Sequence, residues 1–200
     1  MVLMVLVGAT AVVALGGGER SDGQPTGNTG ENPAAADTAG SDAESVAEAL
    51  QAAGIHPYTG APRRIDFDLL NLAEQERSLA DYRGRIVFLN FWATWCPPCV
   101  EEMPSMQRLA DKFENDGLSM VAVNIQENPA AVRQFMDEHE LSFEVLLDRQ
   151  GRAGQSYGVR GLPTTVILGR DGYVLGVKVG FALWDTEEVF DAFRTILESA

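Results

Sequence analysis

The sequence predicts a three-layer α/β domain, a central mixed β-sheet flanked by helices. Three observations carry this. Residues 86–91, IVFLNF, are a continuous apolar run with no outward polar alternation, which suits a central strand covered on both faces. Strand-like and helix-like segments alternate on either side of it from about residue 62 onward. The strands TTVIL and YVLGVKV surround the turn Gly169-Arg170-Asp171-Gly172, so an antiparallel hairpin joins the sheet near its end.

Taken in order, IDFDLL (65–70) is a short strand and SLADYRG (78–84) a turn of helix. After the central run, a helical pattern starts at Pro97 and reaches about Asn115, where Asp116-Gly117 ends it. LSMVAVN (118–124) is a second buried strand. Asn128-Pro129 opens the next helix with a capping residue and a proline at the first helical position, and this helix runs to about His139. FEVLLD (143–148) is a strand, and GRAGQSYG (151–158) a short helix or turn. Asp185 and Glu188 cap a last amphipathic helix, with Val189, Phe190, Phe193, Ile196 and Leu197 on its apolar face. No internal repeat is visible.

This domain is expected at residues 61–200, behind two appendages. The first fifteen residues, MVLMVLVGATAVVAL, are almost wholly apolar before GGGER breaks the run. A bilayer span needs about 20 such residues and a signal-peptide core about 7–15. Residues 1–18 therefore read as a signal or membrane-anchor segment. The segment lacks a positively charged n-region, so an upstream start is the expectation. No cysteine follows it, which excludes lipid attachment there. Residues 19–60 read as a flexible acidic linker, rich in Gly, Ser, Thr, Asn and Pro. As a coil it would span roughly 30 Å and hold a domain off a membrane. Near its end SDAESVAEALQAAG carries a capping box, Ser41 and Glu44, and a terminal Gly54, so a short helix is expected there.

The formal net charge is −14, and the only lysines are Lys112 and Lys178. That balance argues against nucleic acid and against docking on anionic lipid through basic patches.

Both cysteines of the chain, Cys96 and Cys99, lie in NFWATWCPPCVEEMP, where the central strand gives way to a helix. This places Cys96 at a helix N-terminus, where unpaired N–H groups and the macrodipole favour an anion. A thiolate is such an anion, and a lowered thiol pKa makes it a nucleophile at neutral pH. Pro97 and Pro98 fit the first helical turn, where their missing N–H groups have no partner to lose. A structural zinc site would want two further ligands, and the chain has only His56 and His139, far apart in sequence. A buried inert pair is disfavoured, because two thiols at such a switch in an exported chain oxidise to each other. A redox dithiol is the reading that remains.

FLNFWATWCPPC, Pro104 in the following helix and VRGLPTTVIL downstream resemble the thioredoxin superfamily. Within it, they are similar to the extracytoplasmic thiol–disulfide oxidoreductases of the TlpA/ResA type. The likeness covers about residues 61–200 and includes the extra strand-helix segment at roughly 125–147. It implies a thioredoxin-like three-layer fold, with Cys96 as the attacking thiol and Cys99 as the resolving one. It implies that Pro163 is a cis-proline lying against the sulfurs, leaving the main chain of Leu162 free to pair with a substrate strand. Trp95 would cover one side of the dithiol, or be a plain core aromatic, and Pro97 and Pro98 would line the same substrate-binding surface.

Two departures from ordinary thioredoxins matter. Where those carry a buried aspartate, this chain has Asn90, which cannot take a proton. Glu102 lies on the helix face shared by Met106, Leu109 and Phe113, one turn past Cys99; a carboxyl on that apolar stripe is expected to be partly desolvated with a raised pKa, the alternative being a rim glutamate that reaches water. The group has a functional glutamate at this position; neighbouring Glu101 is expected in solvent.

The resemblance implies a protein-disulfide reductase without a cofactor, acting on exported proteins such as apocytochrome c and fed by a membrane-embedded electron donor. Action as an oxidant in general disulfide exchange is the alternative. From a different class, a Cu(I)-binding metallochaperone would want cysteines three residues apart and a histidine in a late loop. Here the spacing is two, and His139 is expected on a helix. A peroxidase would want a Pro/Thr-flanked peroxidatic cysteine, and none is present.

Overall fold

The computed structural model describes residues 33–199. Its elements run α1 (Pro33–Ala52), β1 (His56–Pro57), β2 (Asp68–Asn71), β3 (Glu76–Ser78), β4 (Ile86–Trp92), α2 (Pro97–Phe113), β5 (Leu118–Ile125), α3 (Pro129–Glu138), β6 (Glu144–Asp148), α4 (Arg152–Tyr157), β7 (Thr164–Leu168), β8 (Val174–Val179) and α5 (Glu187–Ser199). The expected segment at 1–18, and the linker up to residue 32, lie outside the described residues. No helix among the described residues is long and apolar enough to cross a membrane.

The strands form one sheet in the order β1-β8-β7-β4-β5-β6-β2-β3. β4 lies near its middle, parallel to β5 and antiparallel to β7, so the sheet is mixed as expected. Every residue of β4 is buried. Ile86, Phe88 and Trp92 join the apolar cluster that includes residues of α1, α2, α3 and α5. Val87, Leu89 and Phe91 join the cluster on the opposite face, with Ala153 of α4 and Leu79 of a one-turn 3-10 segment. This double cover is why the strand reads as a run and not as an alternation.

Three local differences from the sequence reading have clear causes. The linker ends well before residue 60. Val46, Ala49, Leu50 and Ala53 recur at helical spacing, and all four are buried in the core cluster. Gly54, at φ 69°, ends this helix, and Ile55 N–H donates back to Leu50 C=O at 2.8 Å. His56 and Pro57 then pair with Val177 and Gly176 of β8. A Cβ on Gly176 would stand 2.9 Å from Ile55 Cγ2, so this close approach depends on glycine. The domain therefore begins ahead of residue 61, with α1 as part of it. Secondly, β3 pairs with β2 as a hairpin, a short edge element with no periodicity to announce it. Thirdly, Thr186 caps α5, its Oγ1 accepting from Val189 N–H at 3.3 Å, while Asp185 pairs with Arg108 at 2.7 Å.

Leu50→Ala tests the revised boundary. Leu50 is 1 % exposed, so the truncation should destabilise the domain by ~2–5 kcal/mol and lower its Tm by several degrees. A thermal melt unchanged from wild type would return α1 to the linker.

Candidate active site

The dithiol sits where β4 ends. Ala93 C=O accepts from Cys96 N–H at 3.2 Å, which turns the chain, and Cys96 then stands as the N-cap of α2 with prolines in the first turn. Cys96 and Cys99 form a disulfide with Cα atoms 5.3 Å apart. The two sulfurs are not equivalent. Cys99 is fully buried; Cys96, itself only 4 % exposed, lines a cleft of about 730 Å³. Trp95, Pro97, Pro98 and Leu162 line the same cleft, so four of the residues expected at the substrate surface are brought together. Trp95 is 67 % exposed, which decides against a core aromatic.

Pro163 is buried, and its peptide bond with Leu162 is cis. Its carbonyl accepts from Gly180 N–H at 2.8 Å, which ties it to the end of β8. Among the described residues, Leu162 makes no main-chain hydrogen bond, so its N–H and C=O remain open to a strand laid alongside.

Glu102 is on the inner side of α2, fully buried, while Glu101 is exposed. Its Oε1 accepts from Asn90 Nδ2 at 2.9 Å, and its Oε2 from Ala182 N–H at 3.2 Å. Asn90 Nδ2 also donates to Thr165 Oγ1 at 3.0 Å, binding β4, β7 and α2 into one polar knot. Burial pushes the Glu102 pKa up to about 7; the Ala182 and Asn90 donors, the Trp184 indole and the Lys178 charge pull it back part of the way. The indole N–H itself falls short of hydrogen-bond geometry. A carboxyl of this kind exchanges a proton near neutrality.

Some residues of the site escaped the sequence reading. Glu127 accepts from Thr94 N–H at 2.7 Å and from Asn124 Nδ2 at 2.6 Å, and it also takes the Thr94 hydroxyl. It thereby clamps the loop that leads into Cys96. Ala182 and Trp184 come from the stretch between β8 and α5, which carried no motif. Trp184 N–H donates to Ser105 Oγ at 3.1 Å, and that hydroxyl donates to Glu102 C=O at 2.6 Å. His139 lies at the end of α3 with its ring 4.2 Å from that of Phe135. Among the described residues, no group of three or more His, Cys, Asp or Glu is placed to hold a metal.

The buried carboxyl makes stability pH-dependent, with a definite sign. Its pKa is about 7 folded against an ordinary 4.5, so between these values the folded state holds the proton that the unfolded state has lost. The contribution of the neutral acid is complete below about pH 4.5, is lost as pH rises from there to about 7, and does not change further once the folded carboxyl has ionised. Glu102→Gln cannot ionise. Whatever constant offset the amide introduces, its stability relative to wild type should improve between pH 4.5 and 8 by on the order of 3 kcal/mol. Urea unfolding of both proteins at pH 5 and pH 8 measures this; an equal difference at the two pH values would mean that the carboxyl does not titrate there.

Comparison with known proteins agrees with this geometry. Residues 61–177 match the AhpC/TSA family. The thiol-disulfide oxidoreductase ResA of Geobacillus thermodenitrificans is 42% identical over 115 residues, covering 58% of this chain and 66% of its own length. The chain thus spans about two-thirds of that relative. ResA of Halalkalibacterium halodurans is 34% identical over 134 residues, covering 67% of this chain and 74% of its own. Among solved structures, a thiol:disulfide interchange protein of the thioredoxin family from Chlorobium tepidum TLS superposes with a TM-score of 0.57 at 27% identity, over 68% of this chain and 99% of its own. The chain belongs to the AhpC/TSA family of thioredoxin-like proteins, in the group of ResA-type thiol–disulfide oxidoreductases.

Proposed function

We propose that the protein reduces disulfides in exported proteins outside the cytoplasm, with apocytochrome c as client and a membrane-embedded dithiol as electron donor. The observation that carries the reading is the asymmetry of the pair: Cys96 lines the cleft, and Cys99 is fully buried one helical turn before a buried carboxyl. In the reduced protein, the Cys96 thiolate attacks a client disulfide. One client sulfur leaves as thiolate, and the other is held in a mixed disulfide on Cys96. Cys99 then gives its proton to Glu102 and attacks Cys96, releasing the second client thiol and closing the Cys96–Cys99 disulfide. Two electrons pass to the client, and the donor dithiol restores them.

The remaining residues have binding roles in this scheme. The client segment lies extended along Leu162 and pairs with its main chain, while Trp95, Pro97 and Pro98 form the other wall. Pro163 has no N–H to compete for the sulfurs. The client class follows from the likeness to the ResA group, whose usual substrate is the Cys-x-x-Cys-His haem site of apocytochrome c. The apolar segment at residues 1–18 supports export, as anchor or as signal. The proline before Cys99, which reducing thioredoxins also have, favours reduction over the oxidising direction.

Two measurements test this. Cys99→Ser should accumulate client proteins disulfide-linked to Cys96, while Cys96→Ser should trap none. Equal trapping by both variants would reverse or dissolve the assignment. The dithiol midpoint potential decides direction. A value near about −300 mV is expected for a reductase, and one near about −120 mV would make the protein an oxidant.

A further inference from the structure

Asn90 is the one amide on β4, and only half of it is used. Its Nδ2 donates to Glu102 Oε1 at 2.9 Å and to Thr165 Oγ1 at 3.0 Å. Its Oδ1 is buried and has no hydrogen-bond partner among the described residues. Leaving such an acceptor unmatched costs about 1–3 kcal/mol, and the rest of this strand is apolar. An amide here calls for a reason beyond packing.

That reason lies in the group it faces. Both Glu102 oxygens receive donors, from Asn90 and from Ala182 N–H, and an acceptor-only carboxylate matches both. Ala182 N–H belongs to the main chain and cannot reverse, so Oε2 remains an acceptor in either state. The proton therefore goes to Oε1. There the acid becomes a donor and would meet the Asn90 NH₂ head on. Half a turn of the amide about its last torsion exchanges Nδ2 and Oδ1, which are almost the same size. Oδ1 then accepts the acid O–H, and the NH₂ takes the place where the amide has no partner, so one half of the amide is unmatched in either state. The Thr165 hydroxyl donates as readily as it accepts, so its bond to the amide survives with the direction reversed.

We propose that Asn90 is a positioning residue that follows the proton on Glu102, its amide turning over with Thr165 so that both the acid and the carboxylate are hydrogen-bonded in the same packed site. The inference rests on the reading of Glu102 as the proton acceptor for Cys99. The charged and titratable groups that face the carboxyl are Lys178 from β8, whose charge favours the ionised form, and Cys99, one turn earlier on α2. The loop before α5 contributes a main-chain donor, and its Asp185 is engaged by Arg108 at 2.7 Å. An aspartate at position 90 would instead set two carboxyls in contact, and an alkyl side chain would leave the carboxylate short of a donor.

The test uses the full chain, isotope-labelled and reduced, followed by NMR from pH 5 to pH 9. Glu102 Cδ reports the proton, and nuclear Overhauser contacts from the Asn90 side-chain NH₂ report the orientation of the amide. Contacts to the Thr165 side chain should be strong above the Glu102 midpoint and fade below it, with the same midpoint, and Glu102→Gln should abolish this pH dependence. Asn90→Leu should raise the Glu102 midpoint by about one unit or more, because the carboxylate loses its donor. Contacts that stay constant while Glu102 titrates would overturn the role of Asn90 and leave that of Glu102 standing. A Glu102 that does not titrate between pH 5 and pH 9 would sink both.

Discussion

Burial of β4 on both faces is the constraint on which the rest of this structure depends. Its main chain is paired on one side with β5 and on the other with β7. The strand can therefore neither shift nor bend without breaking two ladders, and it delivers its last residue to a fixed point. Chemistry has to begin where the strand ends, and there the chain turns at Ala93–Cys96 into α2. Two prolines in the first helical turn leave the dithiol little freedom, and Glu127 holds Thr94 from the loop after β5. The dithiol is accurate because its support is rigid.

The same burial explains how a carboxyl is kept near neutrality. Complete removal from water moves a carboxylic acid by as much as ~3–5 units, which would leave Glu102 permanently protonated. The donors around it offset part of that. Their positions are fixed from the core: Trp184 packs edge-on to Phe88 with ring centroids 4.7 Å apart, and its main chain bonds Ser105 on α2. This holds Ala182 against the carboxyl. The pKa of about 7 is thus a balance between an apolar wall and a few placed N–H groups.

How legible this was in the sequence depended on the range of each interaction. β4, β5 and α2 were legible because burial on two faces, or on one helical stripe, leaves a periodic record in consecutive residues. Glu102 was found in that way, by its spacing from Met106 and Leu109. β1 has two residues and β3 three, too few for any period. The helix ending at Gly54 is legible in the sequence, but its place in the domain is not, because the average composition of the polar tract dilutes four apolar residues at helical spacing. Glu127 meets Thr94 across 33 positions and Ala182 meets Glu102 across 80, and no local pattern records such pairs. Asp185 reads as the cap of α5 from sequence, and it is Arg108, far away in the chain, that engages it and leaves the cap to Thr186.

The arrangement also separates the two ingredients of the proposed reaction. A client has to be reached from water, so Cys96 borders the cleft beside an exposed tryptophan. Proton exchange with Cys99 requires the opposite surroundings, because a solvated glutamate at ~4.3 would be a poor match for a thiol. The disulfide lies between these environments, with one sulfur belonging to each. Glu102 is absent from the cleft wall, and neither a client chain nor the water around it need disturb the desolvation that sets its pKa.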